Sequence, residues 1–414
     1  MPGAIVVGAT GILGREIVHE LSKHRQQWPT VHALSRSNKE HFAETVIYHH
    51  IDLLSSVDEM AKDLESVRGN VVFFAGYMQK DTEQENWDVN GAMLSNFLQA
   101  LVKTGAISGV DRIVLVTGAK QYGVHLGAPK NPMLESDPWL TDSTWPPNFY
   151  YHQQNILHSF CEEHKKEWTV TYPNDVIGYA AGNYMNLATS IALYALVSKE
   201  LDSEKSGLVF PGSPTFYTKF DCFTSSKLHA QFCAWAALEP RAANQAFNVT
   251  DGDAESWQNL WPRVAAYFGT CVNPTQFQSG AASSLLKYVA GGASSTAKLA
   301  PQPPLTVHAS TAGLHGTPAL EQSVVEQHVD LEKWSQRADV REAWRRIAER
   351  EGLQEDAFEA ATWGFLGFVL GRNFDLVISM SKARKAGWTG YVDSWESLEG
   401  VFGELRRVGV LPNI

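Results

Sequence analysis

A chain of 414 residues, 44% hydrophobic and 19% charged, can bury a full core as one large domain or two modest ones. Its net charge of −11 and isoelectric point near 5.7 exclude a general nucleic-acid role, which needs a basic face, although local basic spots can still hold one small anion. Apolar runs are short or interrupted, and the first residues enter a strand pattern at once, so neither a membrane span nor a signal peptide is expected and the chain reads as cytoplasmic.

Strand candidates come first as "AIVVG" (4–8), "VHALS" (31–35), "VIYHHI" (46–51), "NVVFFAG" (70–76), "RIVLVTG" (112–118) and "TVTYPN" (169–174). Helical patterns fill the gaps, among them "REIVHELSKH" and "ENWDVNGAMLSNFLQALVKTG". Single helices between strands imply right-handed crossovers, hence an α/β fold with a doubly wound parallel Rossmann sheet. The expected division is a dinucleotide-binding domain over 1–210, a returning segment around 215–255, and a smaller, mainly helical substrate region over 256–414. Residues 279–320, rich in Gly, Ala, Ser and Pro, read as a flexible insertion. Cys161, Cys222, Cys233 and Cys271 lie far apart without a CxxC pair and are expected to be buried small residues, not a zinc site or disulfide framework. "HELSKH" (19–24) has its histidines five apart, about 140° around a helix, so no metal site is expected there.

The first strand runs into "GATGILG", which places Gly8, Gly11 and Gly14 in a turn opening a helix. Glycine there permits a tight turn, close approach of a pyrophosphate to backbone N–H groups, and close helix–sheet packing. Thr10 and Ile12 belong to the same turn, and Leu53, Ala75, Thr117 and Gly118 follow later strands, completing the expected cofactor set. The second strand ends in "SRSNK", where an NAD enzyme usually carries an acid; Arg36 with Ser35 and Ser37 suits the 2′-phosphate of NADPH instead. Asp52 is placed to meet the adenine edge.

"PPNFYYHQQN" (146–155) has tyrosines at a helix start but no lysine four residues on: Gln154 follows Tyr150 and Asn155 follows Tyr151 at that spacing. A cation is available from the end of the fifth strand, in "VTGAKQY", as Lys120. Ligands of a doubly wound sheet sit beyond the carboxyl ends of its strands, so Lys120 and the tyrosine helix should converge.

These stretches, with "PNDVIGYAAGNYMNL", "LVFPGS", "WAALEPRAANQAFNVTDGD" and "SMSKARKAGWTGYVDS", run in order along nearly the whole chain. Together they resemble the progesterone 5β-reductase and iridoid synthase-like (PRISE) family, an atypical extended branch of the short-chain dehydrogenases. The resemblance implies NADPH-dependent reduction of activated C=C bonds in enones and enals, on a small apolar substrate, using Lys120 and the second tyrosine, Tyr151. Pro173, Val176 and Ile177 are then expected to line the nicotinamide face, and Tyr122, Trp363 and Phe365 the substrate. Gln121 stands where the family commonly has His, and "TYPN" where it has His-Arg-Pro-Asn. A carbonyl reductase or epimerase, and a non-redox NADPH protein guiding a cyclisation, remain open, as does a homodimer; no nucleic-acid or membrane partner is expected.

Overall fold

In the computed structural model, which describes residues 3–202, 206–278 and 294–413, the β-branched and aromatic runs form β1 (Ala4–Val7), β2 (Val31–Ser35), β3 (Val46–His50), β4 (Val71–Phe74), β5 (Arg112–Val116) and β6 (Glu167–Pro173). The two-residue strands β7 (Val176–Ile177) and β8 (Thr224–Ser225) pair with each other, and β9 (Gln245–Val249) returns to the main sheet. The order β3-β2-β1-β4-β5-β6-β9 is parallel throughout, and the order in which strands are added reverses between β1 and β4. That reversal opens a crevice at the carboxyl ends of the strands.

Both faces of the sheet are covered, which is why its strands read as continuous apolar runs. Ile5 and Val7 of β1 join one core with Leu94 and Phe97 of α3 (Glu83–Lys103) and Leu157 of α4 (Phe149–His164); α1 (Ile12–Lys23) and α2 (Val57–Asp63) precede these helices in the chain. Ala4 and Val6 point the other way, to Ile17, Val18 and Leu21 of α1. The alternation follows from the period of two along a strand. α3 starts at a reciprocal capping box between Thr82 and Glu85, so its first turn is well defined where it meets the crevice.

A second core is helical and rich in tryptophan. α5 (Leu187–Leu201) packs there with Trp257 and Trp261 of α7 (Trp257–Tyr267), Trp334, Trp344 and Trp363. α5 therefore belongs to this helical body although its sequence position lies within 1–210. α6 (Ser226–Ala236), between them, packs on α1. Conversely, Phe374, Leu376 and Ile378 from the last part of the chain pack into the sheet's core.

The stretch expected as a flexible insertion, 279–320, is described in part. Residues 279–293 lie outside the described residues. From 294 on the segment is folded: β10 (Ser295–Lys298) pairs antiparallel with β11 (Val324–Gln327), and a 3₁₀ turn spans Pro304–His308. Ala300 N–H donates to Leu126 O (3.1 Å) and Leu305 N–H to Ala128 O (2.9 Å). Backbone pairing to another loop compensates for its low-complexity composition. Cys161, Cys222 and Cys233 are buried as expected, but Cys271 is exposed, because the turn after α7 carries it to the surface. No helix among the described residues is long and apolar enough to cross a membrane.

Candidate active site

A cavity of about 460 Å³ occupies the crevice. At its floor Gly8 has φ +76°, and a Cβ there would lie 2.7 Å from Ala75 O. Only glycine fits both constraints. Thr10, Gly11 and Ile12 continue the wall, and no side chain caps α1 at Gly11. Gly14 is not part of the wall. Its Cβ would stand 2.1 Å from Gly8 O, so its role is to bring α1 against the turn.

At one end the cavity is bordered by Ser35, Arg36, Ser37, Asp52 and Leu53, with Ala75 nearby. Lys39, which sequence reasoning passed over, adds a second exposed cation beside Arg36. Ser35 Oγ donates to Ser37 O (3.0 Å), and Asp52 Oδ1 accepts from Leu54 N–H (3.0 Å), so both strand ends are locally pinned. A glycine turn at a helix start, two cations and an acid at the neighbouring strand end form a donor set that fits a dinucleotide.

At the other end, Thr117, Gly118 and Lys120 follow β5, Pro173 ends β6 and Val176 opens β7. Asn148 joins two elements: its Oδ1 accepts from Tyr150 N–H (3.0 Å), capping α4, while its Nδ2 donates to Lys120 O (2.7 Å). The helix start is thereby tied to the lysine turn. Lys120 Nζ lies 3.1 Å from Glu83 Oε1, at the first turn of α3.

The tyrosine that meets the cavity is Tyr150, not Tyr151. A Cβ on Gly118 would stand 3.1 Å from the Tyr150 hydroxyl, which has no protein hydrogen-bond partner among the described residues. Tyr151 turns away, stacks on Trp139 at 4.6 Å, donates to Gln121 O (2.7 Å) and accepts from Leu140 N–H (3.1 Å). Its hydroxyl is spent on backbone. Neighbouring helix residues point about 100° apart, and here Tyr150 faces the cavity while Tyr151 is directed to Trp139.

Three more expected positions do not reach the wall. Tyr122 is buried with its hydroxyl on Asn248 Oδ1 (2.5 Å), Trp363 packs in the helical core and donates to Phe358 O (3.2 Å), and Ile177 is buried in that same core. Phe365, one helix turn from its partner Phe368, does line the cavity. Sequence reasoning missed Tyr77, His125, Gln153, Asn174, Asp175 and Arg372. His125 follows "TGAKQY" closely and Asp175 lies inside "PNDVIG", so both could have been suspected; Arg372 had no local signal.

Burial, and secondarily the Glu83 carboxylate, push the Tyr150 phenol above its ordinary pKa. The phenol therefore stays protonated at neutral pH. The Tyr151 phenol is pushed up to about 12, chiefly by burial, with the Leu140 N–H opposing. Arg372, fully buried, forms a bidentate pair with Asp175 (Nη2 to Oδ1 3.0 Å), whose backbone is held at φ +31°; Asp221 lies 3.5 Å from the same guanidinium. Burial and the like charge of Asp175 raise the Asp221 carboxyl well above its ordinary pKa, with the Arg372 guanidinium opposing. No cluster of metal-ligating side chains occurs among the described residues.

Comparison with known proteins places this geometry. A PRISE-like Rossmann-fold domain model matches residues 4–292. An uncharacterized protein of Schizosaccharomyces pombe is 38% identical, over 99% of this chain and 98% of that protein. A 3-oxo-Delta(4,5)-steroid 5-beta-reductase of Arabidopsis thaliana is 26% identical, over 99% of this chain and 93% of the reductase. An enzyme of Bordetella bronchiseptica solved with NAD and UDP superposes with a TM-score of 0.55 at 14% identity, over 99% of this chain and 96% of that one; at that identity the likeness shows the fold alone. The glycine-turn cavity, the family model and relatives matched from end to end lead to one conclusion: the chain belongs to the PRISE-like Rossmann-fold family and is an oxidoreductase.

Proposed function

We propose that this oxidoreductase is an NADPH-dependent reductase of activated C=C bonds, acting on a small, largely apolar enone or enal. The observation that carries the reading is the protonated, unpartnered phenol of Tyr150 beside Gly118, in the same cavity as Lys120. Bound NADPH supplies the hydride. Arg36, with Lys39 beside it, would hold the 2′-phosphate, and the turn from Gly8 to Ile12 the pyrophosphate.

When the β-carbon of an enone gains hydride, negative charge develops on the carbonyl oxygen. A hydrogen-bond donor fixed in a dry site stabilises that charge without reorganising. Tyr150 Oη carries the proton and has no competing partner among the described residues. The donor is therefore assigned to Tyr150 and not to Tyr151, whose hydroxyl already serves Gln121 and Leu140. Lys120 would hold the nicotinamide ribose hydroxyls, its backbone anchored by Asn148. Keeping the phenol neutral suits hydrogen-bond donation to an enolate better than base chemistry at a carbinol.

The test is regiochemical. With 2-cyclohexen-1-one and NADPH deuterated at C4, deuterium should appear at the β-carbon of the saturated ketone. Label at the carbinol carbon would establish a carbonyl reductase instead.

A further inference from the structure

His125 stands in the wall of the same cavity as Lys120 and Tyr150. Its Nδ1 is enclosed, and neither ring nitrogen has a hydrogen-bond partner among the described residues. An imidazole nitrogen enclosed in this way normally finds a partner within the protein. The other uncharged polar side chains at this end do so: Tyr77 donates to Gln79, Thr117 to Thr171 O, Gln153 to Asn90 O, and Asn174 to Asp221 and Cys222 O. Tyr150 and His125 are left with unspent hydrogen-bonding groups.

Charge narrows what they can meet. Lys120 is paired with Glu83 and Arg372 with Asp175, so the charged side chains lining this end are balanced in pairs. Burial, with Lys120 as a lesser contributor, holds His125 well below its ordinary pKa, so its ring is neutral and offers one donor and one acceptor. An anionic ligand would meet a ring lone pair or displace Glu83. A hydroxyl can use either nitrogen in either tautomer.

We propose that His125 is a specificity-determining residue that hydrogen-bonds a second, uncharged oxygen of the substrate, a hydroxyl above all, while Tyr150 meets the reacting carbonyl. The assignment rests on the reductase reading in naming the carbonyl. The preferred acceptor is then a neutral enone carrying a hydroxyl group, ahead of the plain enone or an acid.

The experiment compares ring-hydroxylated isomers of 2-cyclohexen-1-one with the parent enone, using the full-length protein and NADPH. The wild type should favour at least one isomer in kcat/KM, and His125→Phe should cut that preference roughly tenfold to a hundredfold. His125→Gln, which keeps a neutral donor and acceptor, should retain most of it. Absence of any preferred isomer in the wild type, or the same ratio in all three proteins, would overturn the assignment. Binding separates this result from failure of the reductase reading: saturated hydroxycyclohexanones and cyclohexanone are titrated against the NADPH complex by its fluorescence. If no enone is reduced but a hydroxycyclohexanone binds the wild type more tightly than cyclohexanone, and the Phe variant loses the difference, the reductase reading fails and the role of His125 stands.

Discussion

Two adjacent phenols in this protein differ in everything that matters for chemistry. Tyr150→Phe should lower turnover by roughly 10²–10⁴ while leaving NADPH affinity near normal, because only the donor to the developing oxyanion is lost. Tyr151→Phe should act mainly on stability, since it removes bonds to Gln121 and Leu140; steady-state rates and NADPH titrations of both variants decide the ranking, and the reverse order would defeat the assignment. The missing lysine also has a structural explanation. Gln154, four residues after Tyr150, donates to Gln121 Oε1 (2.8 Å) and accepts from the Tyr172 hydroxyl (2.6 Å). Gln121 and Tyr172 are both departures from the family pattern, and they meet in one buried amide network that a lysine could not complete. At the far end of the cavity, Arg36→Ala should weaken NADPH about ten- to a hundredfold and spare NADH, from the loss of a charge-assisted contact of roughly 1.5–3 kcal/mol. Equal wild-type titration curves for the two cofactors would refute the NADPH preference.

At the level of elements, the first glycine turn divides its work between fold and ligand. Gly14→Ala would drive a Cβ into Gly8 O and push α1 off the sheet, so the cofactor-free protein should lose on the order of 1–3 kcal/mol or more. In Gly11→Ala the added Cβ would meet Gly8 O at 3.4 Å, so the cofactor-free protein should keep its stability while dinucleotide binding weakens. Denaturant midpoints with and without NADPH separate the two effects. This distinction was not legible in the motif, where the three glycines look alike, because it depends on what stands opposite each one. The strands, by contrast, were legible: β2 forms at 31–35 as its apolar run indicates, and the ends of β1, β4 and β5 fall within two residues of the expected bounds. The pairing of the segment after residue 294 with the loop at 126–128 was not legible, because Gly/Ala/Ser composition reports the lack of local preference and is blind to partners elsewhere in the chain.

Across the whole molecule, the returning strand β9 carries the chain to Asp251, a buried acid that accepts from Ser225 N–H and the Ser394 hydroxyl. It thus ties the sheet edge to the N-terminus of the helix Ser394–Arg407. Burial raises its pKa to about 7, although both hydrogen bonds oppose the shift. In the unfolded chain it titrates near 3.9. The folded state therefore binds the extra proton between these values, and the stability that the neutral form supports is complete below about pH 4 and lost as pH rises through about 7. Asp251→Asn should remove this loss, so its stability relative to wild type should rise by about 1–3 kcal/mol between pH 5 and pH 7. Urea midpoints at several pH values check it, and a constant difference would exclude Asp251 as the source.

Alternation of apolar runs with helical stretches, and a glycine turn directly after the first strand, determined the doubly wound sheet and the position of that turn at the head of α1 from sequence alone. Both are properties of short segments whose hydrogen bonding and packing period are set locally. Tertiary structure alone decided which phenol faces the cavity. Tyr150 and Tyr151 share one helix start, and only the way Asn148 ties that turn to Lys120 O orients it. It also decided that Arg372 meets Asp175 across 197 positions of chain, and that His125 is left without a partner among the described residues. Such contacts between distant segments arise when the helical body closes over the sheet, and no local preference of the residues involved records them.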